Sequence, residues 1–265
     1  MAPKKRKISA ASKTSIAAAG PSTALAHIRG LLGERPALLA RPDGAVVLCR
    51  QEEKWSCGYS CLQTLIKALL HAGEEFEQAL ASAGLAEAGA AVDVRGLQAV
   101  ITRGWRRGFD PEGAQQVRKA LRGTDFVGCC GKHAWIGCAE DCVALRSAGI
   151  RANIAGFCHK HRGVTELKEA QKLVAHLAAY FADEGSSSWG ADVLPPALLC
   201  FGKHNYVVVG VARDSLVLLD PKWGKPKLDL ASAADLTRRA SQFECLTVRP
   251  GVSDGELPKK LEQPA

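Results

Sequence analysis

The chain has 265 residues, 47% of them hydrophobic, with ten cysteines and a formal charge of +8. That length holds one domain with a substantial core. No apolar run reaches membrane-spanning length and no secretory apolar stretch follows Met1, so a soluble intracellular protein with reduced thiols is expected, not a disulfide-stapled secreted one. Lys4, Lys5, Arg6, Lys7 and Lys13 supply five of the charges and the first 13 residues hold no acid, so the rest carries only +3, too little for a large nucleic-acid footprint.

Pro3-Lys4-Lys5-Arg6-Lys7 is a compact basic run of the kind read as a nuclear import signal. The Ser/Ala-rich stretch around it, with its first acid at Glu34, also fits an organelle transit peptide. Four contiguous cations fit import better. Residues 1–24 are expected to be a disordered tail, 25–249 the folded domain and 250–265 a second disordered tail.

A short helix is expected over Leu25–Leu32 and a strand over Gly44–Cys49. From Cys57 apolar residues recur at helical spacing (Cys61, Leu62, Leu65, Ile66, Leu69 and Leu70), predicting an amphipathic helix that opens at Cys57. Helices are predicted over 74–83 and 93–107. Asp110-Pro111 is a helix start, with that helix running to about Leu121. A Gly/Cys loop follows over Thr124–Ala134, then a helix from Trp135-Ile136-Gly137 through Ser147, stopped by Gly149, and a strand Arg151–Ala155. Residues 165–181 read as a helix and 186–188 as linker. Strands are predicted at Ala197–Phe201, Tyr206–Val211, Leu216–Leu219 and Phe243–Val248, the second and third as a hairpin. Helices first and antiparallel strands later make the chain α+β.

Cys57 falls at the start of its helix, where unpaired backbone N–H groups and the helix dipole favour a thiolate. Cys61 lies one turn inside, on the apolar side, as an inert packing residue. The hairpin brings His204, at the head of one strand, to the same end as Asp220, which closes the next. There a carboxylate can hold an imidazole while its other nitrogen faces a thiol. Gln51 stands six residues before Cys57, the spacing at which papain-like cysteine proteases place a glutamine that donates to the oxyanion, with the Cys57 backbone N–H as second donor. A histidine, an Asp-Pro or a loop glutamine alone is commonly structural. The order Cys, His, Asp after a helix-starting cysteine raises all of them together. His133, His159 and His161 are competing histidines in loops without a strand partner.

Trp55-Ser56-Cys57-Gly58-Tyr59 with Leu62-Gln63-Thr64-Leu65 resembles the nucleophile segment of the peptidases specific for ubiquitin-fold modifier. Residues 105–114, Trp135-Ile136-Gly137 with Glu140, Gly202-Lys203-His204 with Val209-Gly210, and Leu219-Asp220-Pro221 are similar to it as well. The order of His before Asp is closest to that family's zinc-finger-containing deubiquitinase branch. The resemblance covers residues 44–248. It implies a papain-like fold, with an N-terminal helical part carrying the nucleophile and an antiparallel sheet carrying His and Asp. It further implies thiol hydrolysis of isopeptide bonds after a ubiquitin C-terminus, in lysine-linked polyubiquitin of an extended linkage type. Cys57 is thereby the nucleophile, His204 the general base and acid, and Asp220 its orienter, while Gln51 rests on the papain spacing alone.

This sequence departs from the pattern at Ser60, where the family has Arg, and in the extra segment Asp125–Ala134. The zinc fingers and ubiquitin-binding helices of the full-length relative are not among its matching segments. A protease specific for ubiquitin-fold modifier and a non-catalytic ubiquitin-binding pseudoprotease are the alternative readings. Cys129, Cys130, Cys138, Cys142 and Cys158 with His159 and His161 invite a zinc site, but no Cys-x2-Cys pair repeats at finger spacing, so neither metal nor cofactor is expected. The expected partners are ubiquitin or a ubiquitin-like protein and its conjugates. Neither membrane nor nucleic acid is expected, the chain is read as a monomer, and its location as nucleus and cytoplasm.

Overall fold

A computed structural model describes Ile28, Leu32 and residues 37–41, 46–120, 135–158, 166–182, 193–222, 227–253 and 257–261. The basic N-terminal run, the Gly/Cys loop and the 186–188 linker lie outside these residues. So do all but Ile28 and Leu32 of the first expected helix, and both of these are helical and buried. Among the described residues no helix is long and apolar enough to cross a membrane.

The first long helix, α1, runs Cys57–Leu70, opening where the spacing predicts. It is buried almost all round and not on one face only, because its polar residues are satisfied locally. Ser60 Oγ donates to Ser56 O, Thr64 Oγ1 donates to Ser60 O, and Tyr59 Oη accepts from Gln98 Nε2. Thr64 Oγ1 also accepts the Cys49 N–H at 2.9 Å, tying the lead-in chain to the helix. That lead-in corrects one expectation. Residues 46–50 form no strand, and 42–45 lie outside the described set. The strand preceding the Cys57 loop is instead the short β1 (Ala37–Leu39), which pairs with the far end of the strand over 204–212.

Helices α2 (Glu74–Ala83), α3 (Val94–Arg106) and α4 (Pro111–Ala120) follow as the pattern predicts. Asp93 caps α3 through Gly96 N and Asp110 caps α4 through Gly113 N. A small hairpin, β2 (Ala86–Glu87) with β3 (Ala90–Ala91), separates α2 from α3 and is not legible in so short a pattern. Then come α5 (Cys138–Ser147), β4 (Ile150–Cys158) and α6 (Glu166–Phe181).

Strands β5 (Ala197–Phe201), β6 (His204–Ala212), β7 (Ser215–Asp220), β8 (Lys227–Ser232) and β9 (Gln242–Val252) build an antiparallel sheet in the order β4-β9-β5-β6-β7-β8, and β1 lies beside the far end of β6. Both faces of β5, β6 and β7 are covered, which explains their near-continuous apolar runs. Helices α1 and α6 both pack on β6.

Strand β8 and the following helix α7 (Ala233–Thr237) are absent from the sequence-based reading. The alternation Leu228, Leu230 and the Ser232–Asp235 capping box were their signals. The expectation of a disordered tail from 250 is also corrected. Strand β9 continues to Val252, and the register of its pairing with β4 shifts there, accommodating Pro250. Asp110 N donates to Lys259 O at 2.8 Å, Arg146 Nη1 reaches Pro258 O and Lys260 O, and Leu257 and Leu261 pack against the core.

The β6–β7 ladder contains one bulge. Gly210 pairs with Val217 but Val208 pairs with Leu218, so Val209 is the extra residue. Gly210 beside it is required by contact: a Cβ there would stand 2.2 Å from Leu38 O and 2.6 Å from Leu39 Cδ2. Gly210→Ala should push β1 off the sheet and lower stability by ~1–3 kcal/mol. Chemical denaturation of the two proteins measures this, and an unchanged midpoint would contradict the tight contact.

Candidate active site

Cys57 is the first residue of α1, and Ser56 before it does not cap the helix. Ser56 instead closes the preceding turn, its Oγ donating to Glu53 O at 3.0 Å. With no acidic residue in the first turn, the helix N-terminus is left to act on the Cys57 sulfur.

His204 opens β6 directly after the two-residue turn Gly202-Lys203, where both residues have positive φ (+58° and +65°), as a type I′ hairpin turn requires. Asp220 ends β7 and is oriented by its own turn, its Oδ1 accepting from Lys222 N at 3.0 Å. The same oxygen lies 2.7 Å from His204 Nε2. Cys57 and His204 are electrostatically coupled, and since Nε2 faces Asp220 it is Nδ1 that is left to serve the thiol. The structure thus brings His204 and Asp220, which the hairpin argument put at one end of the hairpin, into contact.

Burial alone would raise the Cys57 pKa. The hydrogen bond and positive charge of His204, with hydrogen bonds from Asn205, outweigh it and hold the thiol below its ordinary value. Burial opposes the charged form of His204 too, but the Asp220 hydrogen bond and the Cys57 hydrogen bond and charge raise it to about 9. Both shifts favour thiolate and imidazolium. Cys61 goes the other way: fully buried, with the Cys57 charge nearby, its thiol is raised well above the usual range.

Gln51 is buried, and its backbone N–H donates to Pro221 O at 3.0 Å, which docks the lead-in loop against the turn after Asp220. Two residues were missed in the sequence. Asn205 Nδ2 donates to Ile136 O at 2.9 Å and lies 3.7 Å from Cys57 Sγ, bridging β6, the loop before α5 and the nucleophile. Its place at the head of an apolar strand was the signal. Gly58 lies under the same loop, where a Cβ would come within 2.5 Å of Ile136 O. Beside this point a cavity of about 570 Å³ is lined by Trp135, Ile136, Gly137, Cys200, Lys203 and Asn205, with Trp135 half exposed at its rim.

The second missed residue is Asp141, fully buried in the first turn of α5 with neither oxygen hydrogen-bonded among the described residues.

Of the set weighed for zinc, Cys129, Cys130, His159 and His161 lie outside the described residues, as does the competing histidine His133. The Cys138 and Cys142 thiols lie 3.3 Å from Glu244 O and 3.6 Å from Ala152 O, in position to donate to them. Among the described residues no three His, Cys, Asp or Glu side chains converge on a metal position.

A thiolate paired with an imidazolium that a carboxylate holds in turn has the chemistry of a cysteine hydrolase. Comparison with known proteins narrows the class. The chain belongs to peptidase family C78, which it matches over residues 49–243. The expected α+β papain-like layout, helix-borne cysteine against an antiparallel sheet bearing His and Asp, is the one observed. The chain is 29% identical over 177 residues to Zinc finger-containing ubiquitin peptidase 1 of Bos taurus, covering 64% of this chain and 28% of that protein. It is 23% identical over 220 residues to Ubiquitin carboxyl-terminal hydrolase mug105 of Schizosaccharomyces pombe, covering 78% of this chain and 80% of that one. The chain thus spans less than a third of the length of the first of these relatives. Among solved structures, UfSP from C. elegans is similar at a TM-score of 0.49 and 12% identity, over 83% of this chain and 35% of that one.

Burial, then the charges of Glu140 and Cys57, raises the Asp141 carboxyl well above its ordinary value. An acid with a raised folded-state pKa holds its proton more tightly when folded. Its contribution is complete below the unfolded value of ~3.9 and is lost as pH rises towards the folded one. Asp141→Asn should therefore gain stability relative to the parent as pH increases from ~4 to ~8, reaching roughly 1–3 kcal/mol. Denaturant midpoints across that range test it, and a relative loss at the higher pH would show that Asp141 is charged and paired.

Proposed function

We propose that this protein is a thiol-dependent deubiquitinase, cleaving isopeptide bonds after a ubiquitin C-terminus, with lysine-linked polyubiquitin of an extended linkage type as its conjugate. The observation that carries this reading is the Asp220–His204–Cys57 relay at a helix N-terminus, within a family C78 domain. The choice of ubiquitin over a ubiquitin-like modifier is supported by the ubiquitin peptidases among its relatives and by the order of His before Asp in the chain.

In this reading the Cys57 thiolate attacks the carbonyl carbon of the scissile amide. The resulting oxyanion is met by the Cys57 backbone N–H, which has no partner inside the helix, and by the Gln51 side-chain amide. What supports Gln51 is its spacing and its buried place beside the Asp220 turn. The tetrahedral intermediate collapses as Nδ1 of the imidazolium gives its proton to the leaving lysine amine, breaking the C–N bond and leaving a thioester. Nδ1, now neutral, takes a proton from water as its oxygen attacks the thioester carbon. The C–S bond breaks, the modifier leaves with a free carboxyl group, and the thiolate–imidazolium pair is restored. Throughout, Asp220 holds Nε2 and stabilises the cation. The basic run Lys4–Lys7 supports action in the nucleus as well as the cytoplasm.

Two C-terminal electrophile probes, one on ubiquitin and one on ubiquitin-fold modifier, test the assignment. The ubiquitin probe should label the parent protein at Cys57 and leave Cys57→Ala unlabelled. Labelling by the modifier probe alone would replace the substrate, and labelling of Cys57→Ala would remove the nucleophile. Hydrolysis should follow a bell-shaped pH profile, rising as the thiol ionises and falling near pH 9 as the imidazolium loses its proton. Asp220→Ala should lower turnover ~10²-fold or more. It should also move the alkaline limb towards the ordinary imidazole value, and an unmoved limb would deny Asp220 its role.

A further inference from the structure

Tyr206 and His204 are two residues apart on β6 and so project to the same face of the sheet. Beyond the last ladder pair, Val207 with Leu219, the register carries Tyr206 directly across from Asp220. The imidazole, the carboxylate and the phenol ring thus share one patch of one face. The Tyr206 and His204 rings meet nearly at right angles (84°) with centroids 4.8 Å apart. Behind Tyr206 lies a rigid support. Its ring stacks on Phe201 at 4.7 Å and 12°, and Phe201 packs on the buried Phe243 at 5.6 Å. The His204 and Asp220 side chains stay 26% and 17% exposed, so their hydrogen bond needs a shield from water.

We propose that Tyr206 is a positioning residue, whose ring fixes the imidazole plane between Asp220 and Cys57 and screens the imidazolium from solvent. In a T-shaped pair the order in which the imidazolium edge meets the phenol face favours the charged form, because the face of an aromatic ring is its negative part, and that is the order the proposal takes. The ring does this and not the hydroxyl: burial and the Asp220 charge push the phenol up to about 12, so it stays neutral over the working range. The charged groups around it are Cys57 from α1, Asp220 from β7, and the pair of Asp229 from β8 with Arg239 after α7. The inference rests on the reading of Cys57 and His204 as an ion pair.

Alkylation of Cys57 by iodoacetamide, followed by mass spectrometry of the Cys57 peptide across pH 4–10, tests it without any substrate. The parent should show a thiolate reacting well below the ordinary thiol range and a second change near pH 9, where the imidazolium titrates. In Tyr206→Val, whose β-branched side chain keeps strand geometry, the acid limb should rise and the alkaline limb fall by about half to one unit each. At pH 6 that is up to ~10-fold slower alkylation. Tyr206→Phe should restore the parent profile.

Limbs in Tyr206→Val that coincide with the parent's would overturn the proposal, as would collapse to one ordinary thiol titration, which is what an unfolded chain with an exposed Cys57 gives. Failure of Tyr206→Phe to restore the profile would overturn it too, by assigning the effect to the hydroxyl. An ordinary single thiol titration in the parent itself would instead defeat the ion-pair reading beneath it.

Discussion

One extra residue in β6 decides whether the site exists. Because Val209 is bulged, Tyr206 and not Val207 falls opposite Asp220. Residues directly opposite in an antiparallel pair point to the same face, and so do residues two apart in a strand. His204 therefore shares a face with Asp220. Remove the bulge and the parity reverses: His204 would project through the sheet, on the far side from its carboxylate. The contact of Gly210 with β1 makes the bulge part of the packing and not a local irregularity.

Around that constraint the remaining parts are assembled from three directions. The nucleophile comes from a helix N-terminus, the imidazole and carboxylate from the sheet, and a loop before α5 closes over both through Asn205 and Ile136. Each contribution is held by backbone-level ties: Cys49 to Thr64, Gln51 to Pro221, and Asp220 to Lys222. Such ties fix position at little entropic cost, which suits groups that must meet within a fraction of an ångström. The electrostatics then follow from placement. Burial opposes charge on both Cys57 and His204, and only their mutual contact with Asp220 and Asn205 reverses this.

The strongly patterned parts were legible in the residues. Helix α1 and its opening at Cys57, the capped start at Asp110-Pro111, and the hairpin that unites His204 with Asp220 all follow from periodicity and turn chemistry. What was illegible depends on tertiary context. Val46 to Arg50 have a strand's composition but pair with no strand, and their Cys49 N–H goes instead to the Thr64 hydroxyl. The tail beyond Val248 has a loop's composition, yet Leu257 and Leu261 find core surface and the intervening carbonyls find Asp110 N and Arg146. Asn205 and Asp141 escaped because their sequence neighbours are polar, Lys203-His204 and Glu140, so that nothing in the pattern announces their burial. The bulge was hinted at by Gly210 alone, and its effect on side-chain parity required the ladder itself.

Strand β9, formed by residues 242–252, lies between β4 and β5 and is the last strand among the described residues. It is an interior strand, a keystone between an edge strand laid down some ninety residues earlier and the hairpins that bear His204 and Asp220. Until it emerges from the ribosome the sheet consists of two unconnected pieces with open edges, and most of its closing contacts are distant in sequence, the situation in which folding is slow. Assembly of the sheet that bears the site therefore waits for residues 242–252. Loss of residues 242–252 would cut β4 off the sheet and leave β5, the neighbour of the His204 strand, with an open edge.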